Sequence, residues 1–162
     1  MTTILQRRAA DTATDRTASA AYERDFFAWT QDQAALLRDG RYADLDVPNL
    51  IDEVETLGRT SRRAIESRLK VLVVHLLKWR FQPERRSRSW RSTIVEQRTQ
   101  IARELRESPS LRSYPKIALD EDYPLIRMLA ANETDRDETL FPATCPFGIE
   151  EILDPEFLPE AA

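Results

Sequence analysis

One histidine, His75, is present in the whole chain, so any acid–base step through an imidazole must use it. Glu53 and Glu55 are the carboxylates whose helix is expected to approach it. A Glu–His pair of that kind could move a proton or contribute ligands to a divalent metal. The second chemical signal is cationic. Lys78, Arg80, Arg85, Arg86, Arg88 and Arg91 crowd into fourteen positions opposed only by Glu84, with Trp79, Phe81 and Trp90 interleaved. Guanidinium groups offer planar forks of donors that fit carboxylate or phosphate, and they stack on indole faces.

Other chemistries lack their residues. Cys145 is the single cysteine, so no intrachain disulfide can form, and no Cys/His spacing suggests a structural zinc. Cys145 precedes Pro146 with no histidine near it in sequence, and no serine lies in a GxSxG-like context. GxxxxGK and GxGxxG loops are missing as well. The expectation is therefore of no cofactor and no metal, with catalysis left open only through His75, Glu53 and Glu55. Glu53 and Glu55 fall on opposite sides of their helix, which argues against their acting as a pair.

These groups must be positioned by helices. With three glycines in 162 residues and segments rich in Ala, Leu, Arg and Glu, the chain lacks the turn residues of a β-sandwich or barrel. A first helix is expected over about Ala21–Asp39, with an aromatic face of Tyr22, Phe26 and Trp29 in the core and Gly40 ending it. Asp46-Val47-Pro48 has the form of a second start, a short acceptor before a first-turn proline. Val47, Leu50, Ile51, Val54 and Leu57 then repeat at spacings of three and four, which predicts one buried stripe. Gly58 marks either a break or a kink. A third helix over about Thr60–Arg80 becomes apolar on nearly every side between Leu69 and Leu77, as the centre of a bundle should. A loop over 81–89 and a fourth helix over about Trp90–Glu107 follow. Shorter helices are expected over Leu111–Leu119 and from Asp122 or Tyr123 to Asn132, then a single turn at Ile149–Leu153 and an extended tail anchored by Phe157.

The fold class is thus all-α: a single-domain helical bundle over 21–162, built around a central apolar helix, with residues 1–20 a disordered leader. No run approaches the roughly 18 apolar residues of a membrane span, and a lone cysteine with no secretory signal suits the cytoplasm. Charge is segregated: −5 over residues 1–58, +9 over 59–91, +2 over 92–118 and −10 over 119–162. Pairing of the basic middle with the acidic tail is the simpler expectation. The overall pI of about 5.2 weighs against a dedicated nucleic-acid binder.

The run Asn49-Leu50-Ile51-Asp52-Glu53-Val54-Glu55-Thr56-Leu57-Gly58-Arg59, followed by His75-Leu76-Leu77-Lys78-Trp79 and Arg86-Ser87-Arg88-Ser89-Trp90-Arg91, resembles a bacterial family called domain of unknown function twenty-nine. The likeness covers roughly Tyr22–Glu160, including Ser108-Pro109-Ser110-Leu111, Cys145-Pro146 and Asp154-Pro155. It implies an α-helical bundle of cyanobacteria and proteobacteria, and it implies no activity, cofactor or partner.

Three functional expectations result. The first is a non-enzymatic interaction or regulatory module that presents Lys78, Arg85, Arg86, Arg88 and Arg91, flanked by Trp79 and Trp90, to an acidic protein or phosphate-bearing ligand. The second is an enzyme whose polar pocket gathers His75, Glu53 or Glu55 and an arginine, with or without the help of a divalent metal. The third is a structural module that pairs with its own copy through an unused apolar helix face.

Overall fold

The computed structural model describes residues 21–162. The leader expected over 1–20 lies outside the described residues. Every described element is helical or coil, which gives the expected all-α bundle. The chain packs as two compact units that meet in sequence at Gly58.

In the first unit residues 21–24 are helical, and Asp25 then restarts the chain, its carboxylate accepting the amide of Ala28 at 3.0 Å. Helix α1 runs Phe26–Arg38, and Gly40 follows at φ +71°, a left-handed turn that a Cβ would strain. Trp29 and Gln33 are the buried members of α1. Both reach Asp46: the Trp29 indole N–H donates to its carboxylate at 3.0 Å, and the Asp46 amide donates to Gln33 Oε1 at 2.8 Å. The Asp46 carboxylate also takes the Asn49 side-chain amide at 2.8 Å, so the expected cap of the second helix is held from two sides.

Helix α2 runs Val47–Phe81, 35 residues without interruption. Gly58 therefore neither breaks nor ends it. An exposed interior glycine costs a helix about 1 kcal/mol relative to alanine, too little to stop a segment held by packing further on. The stripe expected to be buried is not. Val47, Ile51, Val54 and Leu57 are 48, 53, 66 and 70% exposed. The periodicity is real, but α1 engages α2 through Asp46, and the helical turn before α1 does so through the Tyr22 hydroxyl, which donates to Glu53. Among the described residues this unit offers only α1 and the helical turn before it to pack on that part of α2, and the remaining face is left exposed. Phe26, at 49%, also departs from the expected aromatic core.

The second unit is centred on the later turns of α2, where Ile65, Leu69, Leu72, Val73, Leu76 and Leu77 are fully buried. A short turn at Pro83–Arg85 leads to Ser87, whose hydroxyl caps helix α3, Arg88–Glu107, by accepting the Trp90 amide at 3.2 Å. Ile94 and Ile101 of α3 join the core as the periodicity predicts. The two short helices expected next are one, α4, Tyr114–Thr134. Pro115 occupies its first turn and Pro124 its interior, where a proline costs roughly 3 kcal/mol. Leu119, Tyr123, Ile126 and Ala130 are buried on both sides of Pro124, and that burial offsets the loss. Asp135 at φ +52° closes the helix in a left-handed cap. After the short helix α5, Ile149–Leu153, the expected extended tail first turns at Pro155–Glu156, where the Phe157 amide donates to the Asp154 carbonyl at 3.3 Å, and the Phe157 ring then lies 5.7 Å from that of Phe147, the anchor expected of it.

Candidate functional site

The segment from Trp79 to Arg91 is made by the end of α2, a tight turn and the start of α3, so its cations are carried on backbone fixed at both ends. They have separate fates. Lys78 is buried and bonds Glu133 at 2.7 Å, with its ammonium 4.6 Å from the centre of the Trp90 ring. This saturates it, so Lys78 leaves the set of cations that an outside anion could reach. Trp90 goes with it as the ring on which Lys78 rests. Arg86 donates through Nε to the Trp79 carbonyl at 2.8 Å and lies over the Trp79 ring at 5.1 Å. Its guanidinium is exposed but oriented by those two contacts.

Arg85, Arg88 and Arg91 are exposed, and among the described residues none of them forms an ion pair. The acidic tail makes its pairs elsewhere: Asp122 with Lys70 at 3.6 Å, Glu133 with Lys78, and Glu138 with Arg127 at 3.3 Å. Glu84, the one acid within the loop, is held by Arg136 at 2.7 Å. The expected neutralisation is therefore partial, and the three arginines nearest solvent are outside it. A shallow concavity of about 570 Å³ lies beside them, lined by Arg88, Arg91, Ser92, Val95 and Glu96.

Along α3 this concavity continues past Val95 into a second one of about 240 Å³, lined by Val95, Ala102, Leu153 and Pro155, with Arg98 and Arg106 among its polar members. Arg98 is a residue that sequence reasoning missed. It sits in the buried stripe of α3 and donates to three carbonyls of the tail, those of Ile152 at 2.8 Å, Pro155 at 3.3 Å and Phe157 at 2.8 Å. Burial lowers its pKa from the ordinary arginine value. The only signal in sequence was a charge at a core position between Ile94 and Ile101.

His75 is half-buried, and its Nδ1–H donates to the Val71 carbonyl one turn back at 2.8 Å. Burial holds its pKa below 6.5, Lys78 pushes in the same direction, and the Val71 bond and Glu133 oppose them. Glu53 and Glu55 precede it by 22 and 20 residues on the continuous helix α2, with no turn at Gly58 of the kind that their convergence on it required. Glu53 accepts the Tyr22 hydroxyl. Among the described residues no group of three or more His, Cys, Asp or Glu side chains is placed to hold a metal. Burial raises the Cys145 thiol, which keeps it from the reactive thiolate form. No helix among the described residues is long and apolar enough to cross a membrane.

A family model described as Domain of unknown function DUF29 matches residues 21–158. No curated protein and no solved structure matches the chain.

Proposed function

Because the chain belongs to the DUF29 family, whose description assigns no activity, we propose from its own geometry that it is a non-enzymatic interaction module whose Arg-rich turn receives an acidic protein in the cytoplasm. The observation that carries this reading is that Arg85, Arg88 and Arg91 are exposed and form no ion pair among the described residues, in a chain whose acids outnumber its bases. The backbone that carries them is fixed at a helix start beside an Arg86–Trp79 stack, and their planar forks of donors fit carboxylates. The pI of about 5.2 weighs against a dedicated nucleic-acid binder, which is more often basic as a domain.

The test is an anisotropy titration with a labelled octaglutamate peptide at low ionic strength. Binding should weaken about tenfold or more in Arg88→Glu/Arg91→Glu, with helical circular dichroism unchanged. Equal binding by the variant, or tighter binding of a short RNA than of octaglutamate, overturns the reading. The enzyme alternative has no comparable supporting observation: the partner that His75 engages is the Val71 carbonyl of its own helix.

A second reading draws on the exposed face of Val47, Ile51, Val54 and Leu57: a structural role through pairing with another copy. Light scattering across a concentration series tests it. A mass that rises toward the dimer in the wild type but not in Val54→Glu/Leu57→Glu supports self-pairing, and a constant monomer mass excludes it.

A further inference from the structure

The two concavities on α3 share Val95 and lie end to end, and their chemistry changes along the helix. Arg88 and Arg91 stand at the first end, Arg106 stands at the far end, and between them Val95, Ala102, Leu153 and Pro155 make an apolar depression of about 240 Å³. Its position does not depend on a loose tail, because Arg98 pins the Ile152, Pro155 and Phe157 carbonyls from beneath. Val95 is 51% exposed although the α3 residues beside it in the core are fully covered, so the depression is open to solvent. Arg106, like Arg88 and Arg91, is exposed and forms no ion pair among the described residues.

We propose that this groove is a binding site for an acidic peptide segment carrying one aliphatic anchor, the anchor seated between Val95, Ala102, Leu153 and Pro155 and its flanking carboxylates on Arg88 and Arg91 at one side and Arg106 at the other. The inference rests on the Arg-rich turn being a docking site, and it adds the chemical form of the partner. Two arginines against Glu96 at one end and Arg106 at the other select acids, and the mostly apolar middle selects an apolar side chain. The spacing sets the pattern. From the middle of the depression, Arg91 and Arg106 are each about 11 Å away along α3. An extended peptide rising about 3.3 Å per residue covers that distance in three residues. The matching segment has acids three or four positions before and after a leucine-like residue.

The experiment uses a fluorescein-labelled peptide of sequence Glu-Glu-Ser-Gly-Leu-Ser-Gly-Glu-Glu, its counterpart with Asn in place of Leu, and the whole chain as wild type, Ala102→Trp and Arg88→Glu/Arg91→Glu. Ala102 is exposed, so the tryptophan fills the depression without entering the core. The Leu peptide should bind the wild type about tenfold more tightly than the Asn peptide, the value of burying one leucine side chain. Ala102→Trp should remove that preference, and the double charge reversal should weaken both peptides. If the two peptides bind equally and Arg88→Glu/Arg91→Glu weakens both, the anchor site is overturned while the Arg-rich turn stands as a docking site. If neither peptide binds, or the charge reversal changes nothing, the docking site itself fails, and the groove with it.

Discussion

His75 is the residue whose charge changes nearest neutral pH, and its setting fixes the sign of the effect. Its folded pKa lies below 6.5, first because it is buried. Between that folded value and 6.5 the unfolded chain holds more protons than the folded one, so folded stability falls as pH drops through this window. The expected outcome is a single imidazole signal in proton NMR titrating below 6.5, and a melting temperature that declines from pH 7 to pH 5 less steeply in His75→Gln than in wild type. An imidazole titrating above 6.5 would show that Glu133 outweighs burial. Sequence gave His75 the correct face of its helix, on the flank of the apolar stripe, because that follows from periodicity alone. It could not show that Lys78 would be spent on Glu133, a contact spanning 55 positions. Nor could it show that Arg98 would be buried by carbonyls that no side-chain pattern reports.

Among elements, the end signals were the most legible: Asp46 before α2, Ser87 before α3 and Gly40 after α1 all act through local hydrogen bonds or local dihedral preference. Signals inside a helix were read less well. Gly58 and Pro124 both suggest interruption in sequence, yet α2 and α4 pass through them, because distant packing outweighs a local penalty of one to about three kcal/mol. A Cβ added at Gly58 meets nothing within 4 Å. Gly58→Ala is therefore expected to raise stability by about 0.5–1 kcal/mol, seen as a higher urea midpoint with unchanged slope. A lower midpoint would mean that the glycine serves a conformation other than this helix.

For the whole molecule, charge is divided as the sequence shows, with the residues through Gly58 strongly acidic and the most basic stretch immediately after. What composition could not disclose is which of these charges would cancel. The answer depends on pairs such as Lys70–Asp122 and Arg136–Glu84, formed only when the second unit closes. Amphipathic period likewise identifies a face without identifying its cover. That distinction separates the buried Ile65–Leu77 part of α2 from the exposed Val47–Leu57 part. The uncovered aliphatic row has a practical result. Dyes that brighten on apolar surfaces should already fluoresce with the fully folded protein, so a bright signal would not signify a loosened core. A melting curve followed by such a dye would start high and understate the transition, whereas Trp29, buried against Asp46, reports unfolding of the first unit once Trp79 and Trp90 of the second unit are replaced by phenylalanine.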